Sequence, residues 1–177
     1  MKILVKEVTE SPKALNFAES VEELNQIYTD GEYHEFRFPP SVDVRLVYYR
    51  SGREILFNGF FHGLVEATCS RCLAPHAFVV EKQFEFVLAP ELMAPGGSKE
   101  LNEGEMGMSF YQGAEINLAP LIREQVLLAL PIRPLCREQC LGLCAGCGAN
   151  LNTESCVCAH PKEDERLAVF RSLRVHR

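Results

Sequence analysis

The sequence predicts an α+β fold: a curled antiparallel β-sheet or partly open barrel, a few helices, and a C-terminal cysteine-rich knuckle. Three observations predict it. Two long stretches, 53–68 and 76–88, alternate apolar and polar residues on either side of a Cys-x-x-Cys turn. A stretch from 117 to 130 repeats its apolar residues at helical spacing. Six of the eight cysteines fall between 136 and 158, behind that helix. The chain is expected to divide into a β-rich α+β unit over 1–134 and a knuckle with a closing helix over 135–177.

The elements follow in order. Residues 2–8 alternate weakly and suit a strand. Residues 13–28 place Ala14, Leu15, Ala18, Val21, Leu24 and Ile27 at loosely helical spacing, with Ser11-Pro12 as a start, and predict a helix. In 42–49, Val42, Val44, Leu46 and Tyr48 share one face against Asp43, Arg45, Val47 and Tyr49. In 53–68 the apolar face holds Ile55, Phe57, Phe61, Val65 and Ala67. Gly59 and Gly63 lie on that face and predict a bulge or sharp bend. The answering strand carries Phe78, Val80, Phe84, Phe86 and Leu88, with Lys82 the one discord. Between the two strands runs Cys69-Ser-Arg-Cys72-Leu-Ala-Pro75, a hairpin tip.

Residues 91–108 contain Pro95-Gly96-Gly97-Ser98 and four acids, and predict an acidic loop. A short strand is expected near 109–116. Asn117 then suits an N-cap and Pro120 the first turn of a helix with Leu118, Leu121, Ile122, Val126 and Leu130 on one side. Pro131 and Pro134 stop it. A last amphipathic helix is expected over 163–174. No repeat is seen at solenoid or propeller periods.

A chain of 177 residues with 47% hydrophobic content can bury a core without help from a metal. No apolar run approaches the roughly 18 residues a membrane span needs. The start, Met-Lys-Ile-Leu-Val-Lys, meets charge too soon for a signal sequence. A cytoplasmic protein is therefore expected, and in a reducing compartment eight cysteines read as metal ligands before disulfides. The net charge of -6 is uneven. Residues 1–109 carry 10 basic and 17 acidic side chains, and 110–177 carry 8 and 7. The N-terminal half is thus unsuited to lying along phosphate backbones, whereas the arginine-rich C-terminal end could touch them.

The cysteine run reads Cys136-Arg-Glu-Gln-Cys140-Leu-Gly-Leu-Cys144-Ala-Gly-Cys147-Gly, then Cys156-Val-Cys158. Zinc takes four ligands in a tetrahedron, and a Cys-x-x-Cys turn aims two sulfurs at one point. Glycines beside the second pair permit positive φ and bring amide N–H groups toward thiolate. Six thiols do not fill two sites, and Cys69 with Cys72 supplies the missing two. One pairing joins Cys69, Cys72, Cys136 and Cys140, leaving Cys144, Cys147, Cys156 and Cys158 as a local knuckle. The other groups Cys136, Cys140, Cys144 and Cys147. A single zinc is a third arrangement.

Other chemistry finds less support. Cys140, Cys144 and Cys147 fit the C-x-x-x-C-x-x-C spacing of radical enzymes, but near the end of a short chain. An iron–sulfur cluster lacks its usual Cys-Pro context, and a redox pair at Cys69 and Cys72 would want a following helix rather than a strand. His62 reads as a half-buried sheet residue. His76 and His160 are substitute ligands at most, and His34 and His176 have no sequence partners. There is no phosphate loop, nucleophile elbow or H-E-x-x-H.

With these residues in place, the sequence resembles the YceD family of bacterial large-subunit ribosomal RNA accumulation proteins. The resemblance rests on Cys69-Ser-Arg-Cys72-Leu73, Ile116-Asn-Leu, Leu128-Ala-Leu-Pro131 and Cys144-Ala-Gly-Cys147-Gly-Ala-Asn-Leu-Asn152. The closing Asp164-Glu-Arg-Leu-Ala168 has Glu165 where the family usually has proline. The resemblance spans 55–173. It implies a cytoplasmic, non-enzymatic factor needed for large-subunit rRNA accumulation and ribosome assembly, with no catalytic residue to carry over. The expected partner is precursor rRNA or a ribosomal protein, with no membrane and no small-molecule substrate. Arg71, Arg133, Arg137, Arg171 and Arg174 are the candidate contacts, since guanidinium suits bidentate phosphate binding. The acidic loop could instead meet a basic ribosomal protein. The alternatives are a zinc-ribbon adaptor in another complex and a metal or redox enzyme using the cysteines.

Overall fold

A computed structural model of the chain describes residues 1–27, 35–91 and 108–158. In order, the elements are β1 (Lys2–Leu4), a 3-10 turn (Val5–Glu7), β2 (Lys13–Ser20), α1 (Leu24–Ile27), β3 (Phe36–Arg37), β4 (Ser41–Ser51), β5 (Glu54–Thr68), β6 (Pro75–Pro90), β7 (Met108–Tyr111), β8 (Glu115–Asn117) and α2 (Ala119–Leu128). The main sheet runs β2-β4-β5-β6-β7, with β3 also paired to β5. Its two ends do not meet, so it is open and not a barrel. β1 and β8 form a separate two-stranded sheet.

The three long strands arise from two-faced sequence. Val42, Val44, Leu46 and Tyr48 of β4 are buried, as are Ile55, Phe57, Phe61, Val65 and Ala67 of β5 and Val80, Phe84 and Leu88 of β6. The β4–β5 turn is closed by Gly52 and Arg53, with Gly52 at φ 61°, a left-handed conformation that glycine adopts without steric cost. Helix α2 packs on the inner face against β6 and β2. It contributes Ile122 and Val126, both fully buried. Lys82 breaks the apolar pattern of β6 because its amine reaches across to Gln125 of α2, at 3.3 Å. Asn117 accepts from the Ala119 N–H at 3.2 Å and so serves the helix start from just outside it.

Four expectations are corrected. Residues 13–20 form a strand rather than the first part of a helix. Leu15 and Phe17 turn inward between exposed Ala14, Asn16 and Ala18, and all eight residues pair with β4. Neighbouring backbone hydrogen bonds outweigh a loose helical spacing; only Leu24–Ile27 is helical. Second, the strand expected over 2–8 stops at Leu4 and gives way to the 3-10 turn. Third, β7 runs parallel to β6, so the sheet is not wholly antiparallel. The strand expected near 109–116 is two strands in two sheets, parted by Gly113 at φ 76°.

The fourth concerns Gly59 and Gly63. No bulge interrupts β5, whose pairing with β6 is continuous from Ile55 to Thr68. The glycines make room instead. A Cβ on Gly59 would sit 2.2 Å from Cζ of Phe84, and one on Gly63 would sit 2.7 Å from Cγ1 of Val42. The break falls in the neighbouring strand. Phe36 pairs with Ala67 and Asp43 with His62, which leaves two extra residues between β3 and β4. Pro39 and Pro40 lie there, and neither has an N–H for the ladder.

The expected helix over 163–174, the acidic loop apart from Glu91 and Met108, and residues His34, His160, Arg171, Arg174 and His176 lie outside the described residues. Among the described residues no helix is long and apolar enough to cross a membrane.

Gly59→Ala is expected to destabilise the chain by about 1–3 kcal/mol, the usual cost of overpacking a filled core, measured by urea unfolding. Gly59→Ala with Phe84→Leu should recover most of that loss. Equal stability of wild type and Gly59→Ala would show that the Phe84 ring is not confined.

Candidate metal centres

The β5–β6 connection is built by the backbone around two cysteines. The Leu73 N–H donates to the Cys69 carbonyl at 2.9 Å, and the Cys69 N–H to the Ala74 carbonyl at 3.0 Å. Leu73 adopts φ 57°, which is the sole positive φ outside glycine among the described residues. The same pattern recurs 75 positions later. The Gly148 N–H donates to the Cys144 carbonyl at 2.9 Å, the Cys144 N–H to the Ala149 carbonyl at 2.8 Å, and Gly148 has φ 76°. Cys-Ser-Arg-Cys-Leu-Ala and Cys-Ala-Gly-Cys-Gly-Ala are thus two copies of one knuckle. This repeat is a feature the sequence reading missed, although Cys-x-x-Cys-x-Ala was its visible signal.

Each knuckle meets a second pair. The Ser70 N–H donates to the Pro134 carbonyl at 2.8 Å, and the Leu143 N–H to the Arg71 carbonyl at 3.1 Å. These bonds lay the segment after α2 beside the hairpin tip. Cys69 and Cys140 sulfurs come within 3.8 Å, and Cys72 and Cys136 within 3.7 Å. In the other cluster, Cys156 lies 3.2 Å from Cys144 and 3.4 Å from Cys147. The eight thiols therefore gather as Cys69, Cys72, Cys136, Cys140 and as Cys144, Cys147, Cys156, Cys158, each set with all sulfurs within 4.8 Å of one another. That is the first of the two pairings, and no disulfide joins them.

The geometry fits a tetrahedral ion. Four sulfurs about 2.3 Å from a central zinc lie about 3.8 Å apart. The first cluster matches this, and the second is somewhat tighter. The burial of the two differs. Cys69, Cys72 and Cys140 are buried, whereas Cys147 and Cys158 are exposed.

Electrostatics point the same way. Burial opposes ionisation of Cys69, but the backbone N–H groups of Cys136, Cys72 and Arg71 outweigh it and bring the thiol down to about 6. Cys140 is also lowered: burial opposes this, and the Asn152 amide and Gly142 N–H overcome it. Burial and the neighbouring sulfurs push Cys136 up to about 12. Cys72 is raised too, despite the Ala74 N–H, by burial and its sulfur neighbours. In the local cluster the N–H groups of Cys147 and Gly146 bring Cys144 down to about 6. The sulfurs of Cys156 and Cys147 push Cys158 up to about 12. Cys156 is raised by Cys144 and Cys147 although the Cys158 N–H favours its thiolate. Four sulfurs this close cannot all carry charge unless a cation sits among them.

The remaining candidates have plain positions. Arg71 is exposed, but its Nη1 donates to the carbonyls of Cys140 at 3.0 Å and Glu138 at 3.3 Å. Arg137 donates to Asn152 Oδ1 at 2.6 Å. Arg133 is exposed and has no hydrogen-bond or ion-pair partner among the described residues. His62 is exposed on the outer sheet face rather than half-buried. His76 stands outside both clusters, with its Nδ1 buried and unbonded.

The family described as large ribosomal RNA subunit accumulation protein YceD matches residues 57–174. The chain is 37% identical over 160 residues to an Arabidopsis thaliana protein named large ribosomal RNA subunit accumulation protein YCED homolog 1, chloroplastic, covering 77% of this chain and 49% of that one. It is 26% identical over 129 residues to an uncharacterised Mycobacterium leprae protein, covering 73% and 55%. A maize protein of the same name as the Arabidopsis one is 34% identical over 59 residues, covering 33% and 20%. The chain thus spans about half the length, or less, of these relatives. No solved structure matches it.

Cys72→Ser is expected to raise amide hydrogen exchange in both 69–74 and 136–143, segments joined through that cluster. Cys147→Ser should raise it most within 142–158. Equal protection of 69–74 in the wild type and Cys72→Ser would show that the hairpin tip is held by other means.

Proposed function

This chain belongs to the YceD family of large ribosomal RNA subunit accumulation proteins, and from that premise we propose that it is a zinc-stabilised, non-catalytic factor for the accumulation of large-subunit rRNA and for ribosome assembly. It binds precursor rRNA or a ribosomal protein, and the metal sites hold the binding surface in shape. The observation that carries the reading is the closed four-sulfur shell. With four cysteines around each point, a zinc ion has no open position for a substrate or an activated water. That distinguishes structural zinc from catalytic zinc. Eight unpaired thiols suit the reducing cytoplasm, where we place the protein.

A divalent ion supports the segment 136–158 energetically. Structural zinc contributes on the order of 10–16 kcal/mol of apparent binding free energy in small peptides. The apolar side chains here offer little in exchange, since Leu141 and Val157 are exposed. The basic surface is smaller than the arginine count suggests, because Arg71 and Arg137 are tied to this segment's own carbonyl and amide groups. Of Arg71, Arg133 and Arg137, Arg133 is the exposed one whose guanidinium is not tied to a neighbouring group.

Metal analysis should find two zinc ions per chain. Cys72 and Cys136 in one set and Cys156 and Cys158 in the other are held protonated at neutral pH, so each ion displaces at least two protons. Apparent zinc affinity should then fall at least about hundredfold for each unit of pH decrease between 8 and 6. A pH-independent affinity would contradict ligation by four thiolates.

In cells depleted of the protein, the ratio of large- to small-subunit rRNA is expected to drop and to recover with the wild-type chain but not with Cys72→Ser. The protein should co-purify with large-subunit precursors. Arg133→Glu should weaken salt-sensitive binding to precursor rRNA. An unchanged rRNA ratio on depletion would overturn the assignment; binding unaffected by salt and by Arg133→Glu would assign the contact to a ribosomal protein.

A further inference from the structure

The two clusters are not independent, and one side chain joins them. Asn152 lies in the loop between Cys147 and Cys156, the pair that closes the local site. Its side-chain amide nevertheless reaches the other site, donating from Nδ2 to the Cys140 sulfur at 3.4 Å. The same nitrogen donates to Asn150 Oδ1 at 2.8 Å. Its Oδ1 accepts from the Leu141 N–H at 2.9 Å and from Arg137 at 2.6 Å. Both amide hydrogens and both oxygen lone pairs are therefore used. A flipped amide would set oxygen against the sulfur and the Asn150 oxygen, so the network fixes its orientation.

The loop that presents Asn152 is itself braced by the local knuckle. Leu143 and Asn150 form a bridge next to Cys144, and the Leu151 N–H donates to the Gly142 carbonyl at 3.0 Å. Asn150 accepts at its carbonyl from Thr153 and Glu154 at 3.0 and 2.8 Å, and its N–H donates to the Glu154 carboxylate at 3.2 Å. Gly142, at φ 78°, completes the joint. A Cβ there would lie 3.2 Å from the Arg71 carbonyl oxygen, so the two knuckles meet at that glycine.

We propose that Asn152 is a positioning residue through which occupancy of the local site strengthens metal binding at the buried site. Hydrogen bonds to a ligating sulfur orient it and spread its charge, and their loss typically weakens a metal site 10- to 100-fold. Ordering of the local loop places that donor, so loading there raises affinity at Cys69, Cys72, Cys136 and Cys140. By linkage the coupling is reciprocal. The inference rests on metal binding at both sites.

The full chain is loaded with cadmium-113 or zinc and its two affinities are read by chelator competition. Asn152→Asp keeps the oxygen that accepts from Leu141 and Arg137 but replaces the donor facing the sulfur. It should weaken the buried site at least tenfold and shift the cadmium resonance of that site, leaving the local site's resonance in place. Cys147→Ser with Cys158→Ser removes the local site and should weaken the buried one to a similar degree. Adding Asn152→Asp to that variant should then cost less than threefold more. Buried-site affinity within twofold of wild type in Asn152→Asp, an unmoved resonance, or losses that simply multiply would overturn the coupling. Absence of metal from the wild-type chain would overturn the zinc reading itself, and the coupling with it.

Discussion

The arrangement depends on a long-range closure. Cys72 and Cys136 are 64 positions apart, and Cys69 and Cys140 are 71 apart, yet their sulfurs share one point at the end of the β5–β6 hairpin. Everything after α2 is positioned by that meeting. Residues 136–158 contain one bridge and several turns, with little apolar surface turned inward. The sheet and α2 form one buried core, while Cys69, Cys72 and Cys140 form a second, with Leu135 and Leu143 beside them. The first core is held by area removed from water. The second is too small for that, and what it brings together is four sulfurs that could hold a metal ion.

This division decides what the sequence could reveal. β4, β5 and β6 were legible because each buries one face, so burial and alternation coincide. β2 was not legible as a strand. Its inward Leu15 and Phe17 are followed by Glu19, a carboxylate almost fully buried, where an apolar residue would have completed the period. Arg123 reaches the same neighbourhood from α2, donating to the Ser20 carbonyl at 3.0 Å. A charge inside the sheet thus hid the alternation. Gly59 and Gly63 were visible as exceptions but their reason lay in other strands, in the Phe84 ring and in Val42. The parallel pairing of β7 depends on a connection across residues that local pattern does not describe.

The cysteines were legible by number and spacing, and the gathering into two sets follows from having one Cys-x-x-Cys turn at a hairpin tip. What spacing does not carry is the side chain that joins them. Asn152 stood within the Asn-Leu-Asn motif as a signature, with no sign of the sulfur it faces. The arginines show the converse. Counting them suggested a basic surface, whereas Arg71 and Arg137 spend hydrogen bonds on neighbouring carbonyl and amide groups.

The distance in sequence between the halves of the buried site also has a consequence in time. A chain synthesised at about 5–20 residues per second presents Cys69 and Cys72 roughly 3–13 s before Cys136 and Cys140 follow. During that interval the hairpin tip is half a site, with two thiols and no partners. The local set, which runs from Cys144 to Cys158, is completed within roughly 1–3 s of its first cysteine. Birth order therefore sets an asymmetry that the finished fold conceals: the more buried centre is the one whose first two sulfurs wait longest, open to any other thiol or ion the nascent chain meets.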